Sequence, residues 1–156
     1  MSTAPKLTQY LTSVGARYEL VAHDTTMSSM RSAEACHISA DSLAKAVVLL
    51  DDDGYLLAVL PASHHLRFDD LEEQGHWPVR MATEEEIGEL FPDCARGAVP
   101  PVGAAYGLKT LVDESIVELP EIYFEGGDHT TLVHMSGPTF DRIMAGAEHA
   151  RFSTHA

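Results

Sequence analysis

A single mixed α/β domain, built around a sheet covered on both faces, is the fold class that the sequence predicts, and three observations lead there. At 156 residues and 45% hydrophobic content the chain is long enough for one core and too short for two ordinary domains. Apolar residues recur at helical spacing near the start of the chain, and Ser136 with Pro138 marks a helix start near its end. Between them, Ala46-Val47-Val48-Leu49-Leu50 and Tyr55-Leu56-Leu57-Ala58-Val59-Leu60 are apolar at consecutive positions around an Asp53-Gly54 turn. A hairpin of that kind belongs at the centre of a sheet, because only there are both faces of a strand buried.

The elements follow in order. Leu7, Tyr10, Leu11 and Val14 predict an opening amphipathic helix that Gly15 stops. Residues 17–23 read as a strand, and a polar loop, His23-Asp24-Thr25-Thr26-Met27-Ser28, leads into a helix over residues 29–37. Ser39 or Asp41 caps a short turn before Lys45 and the hairpin. Thr83 and Glu86 stand at capping-box spacing, so a helix runs from there to about Phe91, where Pro92 ends it. Residues 93–103 hold two glycines and two prolines and form a shaped loop, neither helix nor central strand. Strands are expected over residues 108–112, 116–119 and 121–125, and again over 129–135 after the Gly126-Gly127 turn. Ser136 with Pro138 starts a closing helix through Met144 and beyond. The domain therefore spans residues 1–150, with a loose tail over 151–156.

Composition narrows the function classes. No apolar stretch has the length of a membrane span, and MSTAPKLTQY has no charged segment followed by an apolar one, so a cytoplasmic protein is expected. Cys36 and Cys94 form no Cys-x-x-Cys pair, which fits a reducing compartment. A net charge of −14, with the acid concentrated in residues 51–90, argues against a broad grip on a nucleic-acid backbone and against DNA as a partner. The objection weakens for a protein that touches only the tip of a nucleic acid. The acidic stretch reads as a solvated face.

Motif-based chemistry is mostly excluded. There is no Gly-x-Ser-x-Gly elbow and no phosphate-cradling glycine loop followed by Lys and Ser/Thr. Cys94 lies in the irregular loop and reads as structural or incidental, because free cysteine usually behaves as a small hydrophobe. The nine histidines lack paired metal-ligand spacing, and His129 and His134, five apart on an expected strand, point to opposite faces, so neither metal nor cofactor is expected. Two features remain. Lys45 stands at the mouth of an apolar strand, either as a point charge for a phosphate or as a strand-end lysine reaching for water. The loop Gly97-Ala98-Val99-Pro100-Pro101-Val102-Gly103 either presents backbone groups to a substrate or is a rigid turn.

Taken in order, Ala44-Lys45-Ala46-Val47-Val48, the Gly97 to Gly103 loop and Gly126-Gly127-Asp128-His129 resemble the YbaK and prolyl-tRNA-synthetase-associated editing domains. Tyr18, His23 and Ser32-Ala33-Glu34-Ala35 resemble that family's opening, so the similarity covers roughly residues 15–146. The resemblance implies an α+β fold with a curled, mostly antiparallel mixed sheet covered by helices. It implies a deacylase that hydrolyses the ester of a misacylated tRNA carrying Ala, Ser, Thr or Cys, gripping the acceptor end and working with or without an aminoacyl-tRNA synthetase. Neither metal nor covalent intermediate is implied; the terminal ribose hydroxyl assists water. Carried over by position, Lys45 meets the terminal phosphate and Gly97, Pro101 and Gly103 form the catalytic loop. Thr26, Ser28, Met30 and His129 line the amino-acid pocket. A binding module on the same fold, without turnover, is the alternative.

Overall fold

The computed structural model describes residues 3–24 and 29–156, Ser29 and Met30 by their backbone alone. Thr26 and Ser28 lie outside the described residues, and so does the side chain of Met30.

Helix α1 (Pro5–Ser13) starts on a proline, which suits a first turn whose N–H groups have no partner, and buries Leu7 and Leu11. Gly15, at φ +66°, stops it as expected. Strand β1 (Glu19–Ala22) and helix α2 (Ser29–Cys36) follow. The hairpin is longer than its apolar runs, with β2 over Leu43–Asp51 and β3 over Gly54–Pro61. Next come β4 (His64–Leu66), α3 (Phe68–Glu73), β5 (Arg80–Met81) and α4 (Glu84–Leu90). The capping box of α4 forms in full: Thr83 Oγ1 accepts from the Glu86 N–H, and Glu86 accepts from the Thr83 N–H at 2.8 Å. The chain ends through β6 (Lys109–Asp113), β7 (Glu121–Glu125), β8 (Thr131–Ser136), α5 (Gly137–Ile143), β9 (Glu148–Ala150) and β10 (Ser153–His155).

The main sheet runs β1-β8-β7-β2-β3-β6-β9, with β5 also on β2. Four pairings are antiparallel (β1 with β8, β8 with β7, β2 with β3, β2 with β5) and three are parallel (β7 with β2, β3 with β6, β6 with β9). The hairpin is central, and its alternate residues feed two cores. Leu57 and Val59 pack with Leu7, Leu11, Phe124, Phe140 and Ile143 from α1, β7 and α5. Leu56, Ala58 and Leu60 pack with Leu71 of α3 and with Phe152. That double burial is why the hairpin carries no polar alternation.

Three expectations are corrected. Residues 116–119 form no strand: the Asp113 carboxylate accepts from the Ser115 N–H at 3.0 Å and starts a 3-10 turn over Glu114–Ile116. The strand expected from His129 begins at Thr131, because His129 has a left-handed φ of +62° that no strand accommodates. The tail is not loose. Phe152 is fully buried, its N–H donates to Asp113 Oδ1 at 2.8 Å, its carbonyl accepts from the Arg67 N–H, and β10 pairs antiparallel with β4. Burying one such ring is worth about 1.5–3 kcal/mol, which outweighs the polarity of the neighbouring residues. Among the described residues no helix is long and apolar enough to cross a membrane.

Candidate functional site

The site is a gap in the sheet. On the edge facing away from β3, β2 pairs with β7 only at Leu43 and Ala44, and with β5 only at Leu49 and Leu50. Between those points the edge of β2 has no strand partner among the described residues. At the far end of the gap, the Val48 carbonyl accepts from the Ala82 N–H at 2.9 Å on this same edge. Strand alternation therefore turns the N–H and C=O of Ala46, two residues back, into the gap. A cavity of about 180 Å³ fills it, lined by Lys45, Val48, Met81, Ile87, Gly97 and Glu125 among others.

Lys45 is thus the third residue of a nine-residue strand, opposite Leu60, and not a strand-end residue. It is half-buried, and its Nζ donates to the His64 carbonyl at 2.9 Å. Among the described residues it has no carboxylate partner within ion-pair distance. Burial lowers its pKa below that of an ordinary lysine. A cation held in place without a counter-ion, in a chain of net charge −14, is available to an anion.

Across the cavity, the loop after α4 is tightly anchored. Asp93 accepts from the Lys6 N–H and from the Tyr106 hydroxyl, both at 2.9 Å. The Ala95 N–H donates to the Gly127 carbonyl at 2.6 Å, and His129 Nε2 donates to the Arg96 carbonyl. Between these braces and the buried Pro100 and Pro101 sits Gly97, at φ +80°, where a side chain would be strained. The glycine lets the backbone approach the cavity.

The structure thus brings Lys45 and Gly97 to one cavity and keeps Pro101, Gly103 and His129 out of its lining. Pro101 and Gly103 are buried and do not line this cavity. A Cβ on Gly103 would lie 2.0 Å from Thr110 Oγ1 and 2.8 Å from the Leu108 carbonyl, so this glycine serves the close packing of the loop on β6. His129 is buried and holds the loop through the Arg96 carbonyl. Cys94 lies against Tyr106, 3.3 Å from its hydroxyl, and burial pushes its thiol up to about 12, so it is no thiolate nucleophile.

Glu125, the last residue of β7, was not anticipated. It is 4% exposed, it lines the cavity, and Ser32 Oγ donates to its Oε1 at 2.5 Å. Its Oε2 is buried with no hydrogen-bond partner among the described residues. Burial pushes its pKa above the ordinary carboxylate range; the Ser32 hydroxyl, His23 and His129 oppose that rise and Asp128 adds to it. The signal available in the sequence was a glutamate continuing the apolar run Ile122-Tyr123-Phe124 into a glycine pair.

This arrangement has relatives. Two crystal structures, one of a hypothetical protein and one of a proposed trans-editing enzyme for prolyl tRNA synthetase, superpose with TM-scores of 0.84. Both are 25% identical to this chain; the first match covers 96% of this chain and 99% of the other, the second 99% and 98%. A proposed signal-transduction protein from Marinobacter aquaeolei shares the fold at a TM-score of 0.77 and 21% identity, over 96% of this chain but 30% of its own. A search of curated proteins finds no significant match. The profile of the aminoacyl-tRNA editing domain matches residues 23–143, from the polar loop before α2 to the end of α5 and across every wall of the cavity, and the chain belongs to that family.

Proposed function

We propose that this protein is a trans-editing deacylase that hydrolyses the ester of a misacylated tRNA carrying a small amino acid (Ala, Ser, Thr or Cys). The observation that carries the reading is the placement of Lys45, a half-buried ammonium without a carboxylate partner among the described residues, at a cavity in a domain of the editing family. The cavity supports the small acyl group: about 180 Å³ is below the roughly 300–1,000 Å³ of ordinary ligand pockets. It holds one end of a substrate and leaves the rest outside.

Lys45 holds the phosphate beside the terminal adenosine as a point charge. The backbone at Gly97 and the Ala46 N–H orient and polarise the ester carbonyl, a preorganised arrangement that stabilises the developing oxyanion. The free hydroxyl of the terminal ribose positions a water, whose oxygen attacks the carbonyl carbon. The ester C–O bond breaks, the ribose oxygen leaves with a proton, and free amino acid and tRNA result. Neither metal nor covalent intermediate takes part. Recognition is local to the acceptor end, alone or beside a synthetase, because the acidic surface repels the tRNA body.

The test is ester hydrolysis across tRNAs misacylated with Ala, Ser, Thr, Cys and Pro, together with an acceptor minihelix. Selective cleavage of one or two small acyl groups, retained on the minihelix, is expected. No cleavage of any member by the folded protein would replace the reading with a binding module on the same fold.

A further inference from the structure

A buried carboxylate with one oxygen unsatisfied is costly unless something else completes it. Glu125 is such a group. One oxygen is held by Ser32, the other is buried with no partner among the described residues, and the residue lines the cavity. Its position relative to Lys45 is informative. Leu43 lies opposite Tyr123 and Ala44 opposite Phe124 in the parallel pairing of β2 and β7. Carried one residue further, that register sets Lys45 across from Glu125, on the same face of the sheet, where the pairing ends and the cavity begins. No ion pair joins the two among the described residues. The cavity is therefore lined by a basic and an acidic residue that form no ion pair with each other, a polar pair suited to a ligand with the opposite arrangement of charges.

An aminoacyl ester at the end of a nucleic acid has that arrangement: a phosphate on one side of the ester and, on the other, a single cation, the α-ammonium. We propose that Glu125 is the α-ammonium site of the aminoacyl group, with Ser32 as the positioning residue that fixes its carboxylate. This inference rests on the editing reading and extends it to a substrate class. Two charges fix the direction in which the ester lies, and an ester whose nitrogen is acylated, as in a peptidyl or formylated chain end, lacks the cation. The site then accepts free aminoacyl esters and rejects acylated ones.

The probes are the 5′-monophosphates of 3′-(alanylamino)-, 3′-(serylamino)- and 3′-(threonylamino)-3′-deoxyadenosine, whose amide resists hydrolysis, each with a free and with an N-acetylated amine. Their binding to the whole protein and to Glu125→Gln is measured by calorimetry. The best free-amine probe should bind wild type at least about tenfold tighter than its N-acetyl form, a preference worth about 1.4 kcal/mol, and Glu125→Gln should bind both forms alike. Equal binding or none by wild type would overturn the proposal, and this comparison needs no variant to fold. Equal weakening of both forms in a folded Glu125→Gln would also overturn it, since that marks a structural role. A parallel hydrolysis assay separates the two readings: free-amine preference without turnover removes the editing function and keeps the ammonium site, whereas turnover of free and N-acetylated esters at equal rates does the reverse.

Discussion

The two walls of the cavity are built on opposite rules. The loop wall, from Asp93 to Gly103, is anchored at Asp93, Ala95 and Arg96, and its prolines are buried. The sheet wall holds a lysine without a counter-ion, a strand edge without a strand, and a carboxylate oxygen without a donor, all among the described residues. Satisfied groups build most of the scaffold, although the buried His129 Nδ1 behind it has no partner among the described residues, and the unsatisfied groups of the sheet wall are left for a ligand. Substitutions in the first wall should therefore cost stability, and those in the second should change binding and rate without lowering stability.

The largest effect should come from the scaffold. Gly103→Ala forces a methyl onto Thr110 Oγ1 and the Leu108 carbonyl, an overpacking cost of about 3 kcal/mol. At about 2–4 °C per kcal/mol for a domain of this size, thermal melting should fall by several degrees; an unchanged melting temperature would show that the loop does not rest on β6 as described. Next is His129→Phe, which keeps a ring and removes the donor to the Arg96 carbonyl. One such bond is worth about 1 kcal/mol, so the melting temperature should fall by about 2–4 °C with KM little changed. A change confined to KM would place His129 against the amino acid after all.

The smaller effects are pH-dependent. Burial lowers the Lys45 pKa, so its charge is lost at lower pH than that of an exposed lysine. KM should rise on the alkaline side of neutrality in wild type, and Lys45→Ala should lack that rise. Glu125 has the opposite sign. Its folded pKa is raised, so above that value the fold carries the full cost of a buried charge, and below the unfolded value the cost is gone. Glu125→Gln should melt higher than wild type at neutral pH, with the gain fading as pH falls through the carboxylate range. A gain that persisted in acid would mean that charge burial is not its cause.

Local chemistry made most of this fold readable in the sequence. The capping box at Thr83 and Glu86, the stop at Gly15 and the doubly buried hairpin each depend on residues close in the chain, and each is present. What escaped depends on distant partners. β10 exists because β4 lies beside it, and Phe152 is buried because Asp113 and Arg67 receive its backbone. The site divides the same way. Lys45 and Gly97 stand out as sequence features, whereas Glu125 becomes conspicuous only once Ser32 and the gap in the sheet surround it. Gly103, Pro101 and His129 belong to motifs that are equally visible in the sequence, but motif position does not distinguish a group that touches a ligand from one that holds the group that does.

The most direct measurement is single-turnover hydrolysis of the preferred misacylated tRNA, with enzyme in excess but below saturation, by wild type and Lys45→Ala matched for melting temperature. The account predicts a loss of about a hundredfold, the scale of removing one preorganised electrostatic contact. Hydrolysis by Lys45→Ala at the wild-type rate would contradict it.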